Sequence, residues 1–217
     1  MCPLKALISV VHSELIAFYQ AIKDGKSREI YDFMLTHPNE EKTYYFVRDE
    51  MLINDDLDLA KRFYYQRKTC FRGITRYNKK GQFNICFGRY KSINFEELLN
   101  GEYEKLLKRT EIQCKSFEYI FENYNSSDNF MFLDPPYDTA ISNYGFGVFG
   151  EREHQKLASL FKKTKIKCLM IIAEMPLILD LYNEYIVDSY EKKYRFKTYE
   201  GRVNDKINKK HLIIKNY

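Results

Sequence analysis

The chain has 217 residues, of which 45% are hydrophobic and 30% charged, with 19 Tyr, 16 Phe and only 5 Pro. Those proportions suit a globular α/β domain carrying a subdomain, and they exclude disordered, collagenous, coiled-coil and mucin-like chains. No apolar run reaches the roughly 18 residues of a membrane-spanning helix, the N-terminus does not read as a secretory signal, and no repeat of solenoid period is present.

In chain order, Leu4 to Val11 reads as a short buried strand, and Ser13 as the cap of a helix running through Ile22. Ser27 to Thr36 and Asp56 to Tyr65 carry further helical patterns, separated by His37-Pro38-Asn39 and a polar stretch. Ile74 to Tyr90 reads as a hairpin with Asn78-Lys79-Lys80-Gly81 as its turn. Phe95 to Leu107 reads as a helix, Thr110 to Cys114 as a strand and Phe117 to Tyr124 as a short helix. A buried strand over Asn129–Leu133 ends at Asp134. Glu151 to Lys163 is an amphipathic helix, Lys167 to Ala173 an apolar strand, Leu177 to Tyr185 a helix and Lys210 to Asn216 a terminal strand. Strand and helix alternate in the second half, which predicts a mostly parallel sheet. The fold class expected is α/β with a Rossmann-like sheet, residues 1–22 and 92–217 forming one domain and residues 23–91 an inserted helical and hairpin subdomain.

Cys2, Cys70, Cys86, Cys114 and Cys168 are scattered and include no C-x-x-C pair, so they read as reduced thiols in a cytoplasmic or nuclear compartment. The four histidines stand at no zinc-ligand spacing from them, and no metal is expected.

Charge is unevenly spread. Between Lys61 and Lys91 lie Lys61, Arg62, Arg67, Lys68, Arg72, Arg76, Lys79, Lys80, Arg89 and Lys91, with no acidic residue among them. The whole chain carries +5, so the residues outside this stretch sum to −5. Phe63, Tyr64, Tyr65, Phe71, Tyr77, Phe83, Phe87 and Tyr90 interleave with the cations. Cations neutralise phosphates and rings stack on bases, so the stretch points to nucleic acid.

The sharpest motif is Asp134-Pro135-Pro136-Tyr137 at the end of a hydrophobic strand. Ligands of open α/β sheets bind at the carboxyl ends of strands, and the prolines stiffen the loop and leave carbonyls free to accept hydrogen bonds. An exocyclic amine such as adenine N6 is a poor nucleophile because its lone pair is delocalised into the ring. A carboxylate at Asp134 and the carbonyl of Pro135 can take its two hydrogens and favour tetrahedral geometry, while Tyr137 stacks on the ring. The target base must first leave the duplex.

These residues, together with Thr69 to Asn78, Gly81 to Asn84, Phe87 to Lys91 and His211 to Tyr217, make the chain similar to the DNA adenine-N6 methyltransferases of the Dam type (D12 class), most of all versions from large DNA viruses. The resemblance implies transfer of a methyl group from S-adenosylmethionine to N6 of adenine in double-stranded DNA. It implies catalytic roles for Asp134, Pro135, Pro136 and Tyr137, with Asp134 also facing the cofactor's amino group and Ser116 standing where the family places a cofactor-binding acid. It implies that Arg76 reads a guanine, that Phe71 wedges near the flipped base, and that Tyr90 supports the contact. Arg67, Lys68, Arg72, Asn78 and Arg89 complete the expected DNA-binding set, Arg72 standing where bacterial relatives have Asn. A restriction endonuclease acting on the same site is the partner such enzymes have in restriction-modification pairs.

Three departures shape the expectations. The family's Phe-x-Gly-Gly cofactor loop and the central strand before it are not found, so the N-terminal part reads as truncated. The family's Asn-Asp-x-Asn after the second strand aligns with Ser9-Val10-Val11-His12. Gly145, Gly147 and Gly150 spell G-x-G-x-x-G, but they follow Asp134 at a distance and enclose Phe146 and Phe149, so they read as an aromatic loop beside the target base rather than a pyrophosphate cradle. A catalytically impaired DNA-binding derivative and an RNA-binding or RNA-modifying protein are the competing readings. The hairpin favours duplex DNA.

Overall fold

The computed structural model describes residues 5–136, 149–194 and 207–217. They fall into two compact units that divide between Ser116 and Phe117. Tyr137 and most of the glycine-rich loop, Gly145 and Gly147 included, lie outside the described residues.

In the first unit β1 (Ala6–Ser9) leads into α1 (Ser13–Lys23), and β1 is half-buried throughout. The cap of α1 is His12, not Ser13. A cap residue must sit outside helical backbone, and Ser13 is already inside the helix. His12 is extended, with φ −99 and ψ 96, and its Nδ1 accepts from the Leu15 amide at 3.2 Å. The helix α2 spans Ser27–Thr36 as its periodicity predicted. The polar stretch after it is not a plain connection, because it folds into α3 (Glu41–Tyr45) and a π-helical turn over Phe46–Glu50 that bury Tyr44 and Val47. Next, α4 runs Asp56–Thr69, capped by Asp55, whose carboxylate accepts from the Asp58 amide at 2.8 Å. It packs on α1, with Phe18 stacked on Tyr64 at a centroid distance of 5.1 Å. Where one helix was expected over Phe95–Leu107, a 3-10 turn (Glu96–Leu99) is followed by α5 (Gly101–Lys108). The break falls at Asn100, whose side chain caps α5 by accepting from the Glu102 amide at 3.1 Å. The strand β2 (Thr110–Gln113) pairs parallel with β1, Ser9 facing Gln113.

The second unit comprises α6 (Phe117–Asn123), β3 (Phe130–Leu133), α7 (Glu151–Lys163), β4 (Lys167–Ala173), α8 (Pro176–Tyr182), β5 (Ile186–Tyr194) and β6 (Ile207–Lys215). Its strands order as β3-β4-β6-β5. One face of the sheet, with Cys168, Met170, Ile172, Leu212 and Ile214, is covered by Phe121 of α6, Leu157 and Phe161 of α7, and Ile178 and Tyr182 of α8. Each of these fully buried large side chains contributes about 1.5–3 kcal/mol of transfer free energy. The edge strand β3 leaves Phe130 58% and Phe132 55% exposed on its other face.

Pairing is mixed rather than mostly parallel. β1–β2 and β3–β4 are parallel, whereas β4–β6 and β6–β5 are antiparallel. The terminal strand returns against β4 because β5 and β6 are antiparallel neighbours in sequence, a connection that needs no crossover helix. Among the described residues no helix is long and apolar enough to cross a membrane.

Candidate functional site

The hairpin expected over Ile74–Tyr90 is present. Tyr77 bridges Phe83, the Asn84 amide donates to the Arg76 carbonyl at 3.1 Å, and the Asn78 amide donates to the Gln82 carbonyl at 2.8 Å. Asn78 builds the turn: its Oδ1 accepts from the amides of Lys80 and Gln82 at 2.9 and 3.0 Å. Gly81, at φ +74, supplies the left-handed residue that closes it.

Three sets of bonds fix the hairpin to its unit. At its root the Phe71 amide donates to Cys86 O and the Gly88 amide to Thr69 O, each at 2.8 Å, and Asn39 Nδ2 donates to Tyr90 O at 2.8 Å. On one arm, Ile85 O accepts from Tyr44 Oη at 2.7 Å and from Arg48 Nη1 at 2.9 Å. On the other, Tyr77 is buried, donates to Glu14 Oε2 and meets His12 Nε2 at 3.1 Å. Glu14 is itself buried and paired with Arg62 at 3.0 Å. Burial, reinforced by the Glu14 charge, drives the Tyr77 phenol well above its ordinary range.

The basic stretch thus divides in two. Arg62 pairs with Glu14, Lys61 with Asp58 at 3.5 Å, Lys68 with Glu97, and Arg89 with Glu41 at 2.9 Å. By contrast, exposed Arg67 and Arg76 meet neutral acceptors, Arg67 Nη1 donating to Thr75 Oγ1 at 3.0 Å and Arg76 Nε to Asn84 Oδ1 at 3.1 Å. Arg72 lies over the half-buried Phe71 ring at 5.1 Å. Arg72 and Arg89 hold left-handed backbone at φ 56 and 53, which costs about 1–2 kcal/mol for a residue with a Cβ. The aromatics divide likewise. Phe63, Tyr64, Tyr65 and Tyr77 are core, whereas Tyr90 is 39% exposed. The interleaving read as a stacking surface is therefore partly a packing pattern.

In the second unit, Asp134 follows β3 directly and is exposed, with Pro135 buried behind it and Pro136 half-buried. The strand ends where the two prolines forbid its continuation. An exposed carboxylate at the carboxyl end of a strand can accept from an amine or an ammonium. At the end of β1 the donor set is different. Ser9 Oγ donates to Lys115 O at 2.9 Å, His12 caps α1, and Glu14 is committed to Arg62 and Tyr77. Among the described residues that end offers no carboxylate suited to a ribose diol, and half-buried Ser116 cannot replace one, having a single hydroxyl. A carboxylate placed as Asp134 is suits an amino group, and the described residues at the end of β1 do not suit a diol.

Sequence reasoning missed Asn84 and Thr75 as acceptors for the arginines, and Glu14 as the buried partner of Arg62 and Tyr77. Glu14 carried only the signal of an acid in a helix's first turn.

A family model for the D12 class N6 adenine-specific DNA methyltransferases matches residues 2–200. The chain belongs to that family. A Type II methyltransferase, M.CviBI of Paramecium bursaria Chlorella virus NC1A, is 58% identical over 211 residues, covering 97% of this chain and 81% of that protein. M.MjaIII, a Type II methyltransferase of Methanocaldococcus jannaschii, is 31% identical over 208 residues, 88% of this chain and 69% of that one. The DNA N-6-adenine-methyltransferase of Escherichia phage P1 is 30% identical over 199 residues, 82% of this chain and 25% of its own length. Membership of the D12 class makes the chain an adenine-specific DNA methyltransferase, and its chemistry is methylation of adenine N6.

Proposed function

We propose that the chain performs this methylation on duplex DNA with Asp134, Pro135, Pro136 and Tyr137 receiving the target adenine, while the hairpin of residues 74–90 holds and reads the duplex around it. The observation that carries the reading is the exposed Asp134 carboxylate at the end of β3, backed by buried Pro135, in a chain of the D12 class. Asp134 and the Pro135 carbonyl accept hydrogen bonds from the amino group. Those bonds strengthen as nitrogen becomes tetrahedral and gains positive charge, so they favour the transition state over the ground state. Tyr137 stacks on the extruded base. S-adenosylmethionine supplies the electrophilic methyl group when bound, with the Asp134 carboxylate as the acceptor for its amino group.

Residues 23–91 act as the target-recognition subdomain and residues 1–22 with 92–217 as the catalytic domain. The bonds from Asn39, Tyr44 and Arg48 to the hairpin support this division. The order β3-β4-β6-β5, parallel at β3–β4 and closed by an antiparallel pair, supports a Rossmann-like sheet. The named relatives include Type II methyltransferases, which supports a partner endonuclease of matching site. The four described cysteines are free thiols, which supports a cytoplasmic or nuclear location.

The test is transfer of labelled methyl to duplex DNA, followed by nucleoside analysis. Label belongs on adenine. Asp134→Ala removes at least 99% of the rate, a loss of about 3 kcal/mol or more in transition-state stabilisation, and leaves DNA affinity nearly unchanged. Asp134→Asn keeps more activity because an amide oxygen still accepts. Label on cytosine, or an Asp134→Ala variant as fast as its parent, defeats the mechanism. The end of β1 favours one second reading, a DNA-binding derivative with impaired catalysis. Tight duplex binding without transfer is its signature.

A further inference from the structure

Lys61, Arg62, Lys68 and Arg89 of the basic stretch each pair with a carboxylate, whereas Arg76 meets a neutral amide. Its Nε donates to the neutral Asn84 Oδ1 at 3.1 Å, and Asn84 stands opposite it on the facing arm of the hairpin. The next residue, Tyr77, is turned into the protein and held by Glu14 and His12. Side chains alternate along an extended arm, so anchoring Tyr77 inward fixes Arg76 outward.

We propose that Asn84 is a specificity-determining positioning residue that aims the Arg76 guanidinium. With Nε engaged by Asn84, the plane of the guanidinium is set before DNA arrives, and the two Nη groups remain to donate. A bidentate pair with guanine O6 and N7 needs two donors in one plane, and a preset plane avoids the ordering cost of a long, mobile side chain. A carboxylate at position 84 would hold the guanidinium as well, but it would offset the charge. The amide holds it and leaves the full charge to face DNA. The proposal rests on the hairpin reading duplex DNA through Arg76. Asn84 acts only through Arg76 and is not itself a base contact.

The experiment is selection from duplexes with a randomised core by the full 217-residue chain, followed by sequencing of the bound fraction. The parent enriches a G·C pair at one position by on the order of tenfold. Arg76→Ala flattens that position and identifies it. Asn84→Leu, similar in size but without an acceptor, flattens the same position and changes affinity for unselected duplex by less than about twofold, since phosphate contacts are untouched. Asn84→Asp keeps the acceptor and keeps the preference, with weaker affinity overall. If Arg76→Ala flattens the position and Asn84→Leu does not, the aiming role is overturned and the base-reading role stands. If Arg76→Ala leaves the selected sequence unchanged, base reading by Arg76 falls, and the aiming role with it. Loss of preference in Asn84→Asp also overturns the proposal, and thermal melting confirms that each variant is folded.

Discussion

Gly88 sits where the hairpin root touches the end of α4. A Cβ there would lie 2.5 Å from Tyr90 Cε2, 2.7 Å from Cys70 O and 2.8 Å from Thr69 O. The Tyr90 ring can swing away, but the two carbonyls are backbone and belong to the helix end that accepts the Gly88 amide. Gly88→Ala therefore forces the root apart, with an expected cost of about 1–3 kcal/mol. Urea denaturation measures it. Duplex affinity should drop with it, because Arg89 and Tyr90 follow directly. A variant as stable as its parent and equally tight on DNA would show that the root yields without loss.

The N-terminus of α1 carries an acid-sensitive cap. Burial pulls the His12 pKa below its ordinary 6.5, opposed by the nearby Glu14 charge, with Arg67 adding a lowering effect. His12 also meets Tyr77, so Glu14, Arg67 and Tyr77 are among the groups that face it. A lowered base stays neutral in the folded protein while the unfolded chain takes up a proton. Stability is then insensitive to His12 above about pH 7 and falls as pH drops below 6.5, until the folded pKa is passed. His12→Asn keeps a side-chain acceptor for the Leu15 amide and removes the titration. The difference in unfolding free energy between pH 7.5 and pH 5.5 should shrink in that variant. Equal differences in parent and variant would remove His12 as the source.

Over the whole molecule, exposed Arg67, Arg72, Arg76, Lys79, Lys80 and Lys91 give one region the positive surface that a duplex needs. The remaining chain is net acidic, so long-range attraction orients the encounter as well as holding it. If three to six of these cations meet phosphates, the logarithm of affinity falls with the logarithm of salt at a slope of about −3 to −5. Fluorescence anisotropy with a labelled duplex between 50 and 200 mM salt should show roughly a hundredfold to thousandfold loss. A slope near zero would mean that the basic surface does not bind the phosphate backbone. The exposed Phe130 and Phe132 on edge strand β3 are a second property at this scale. An exposed apolar strand face invites association, and light scattering should show concentration-dependent species that Phe132→Lys reduces.

Local periodicity was enough to set α2, α7 and β4 to their observed ends, because each buries a face that its own repeat spells out. The turn at Asn78–Gly81 and the carboxylate at the end of β3 were legible for the same reason, since Asn, Gly and Pro act on the backbone within a few residues of themselves. β5 was not legible. Its run Val187-Asp188-Ser189-Tyr190-Glu191-Lys192-Lys193 is largely charged and is a strand because β6 pairs with it. Nor did composition separate the basic residues that are neutralised from those that are not. Arg62 meets Glu14 across 48 positions, and Tyr77 meets it across 63. Those pairings depend on how α1, α4 and the hairpin pack. Only the folded chain brings a buried carboxylate to one cation and a neutral amide to another, and that difference distinguishes an arginine whose charge is paired from one held by a neutral group.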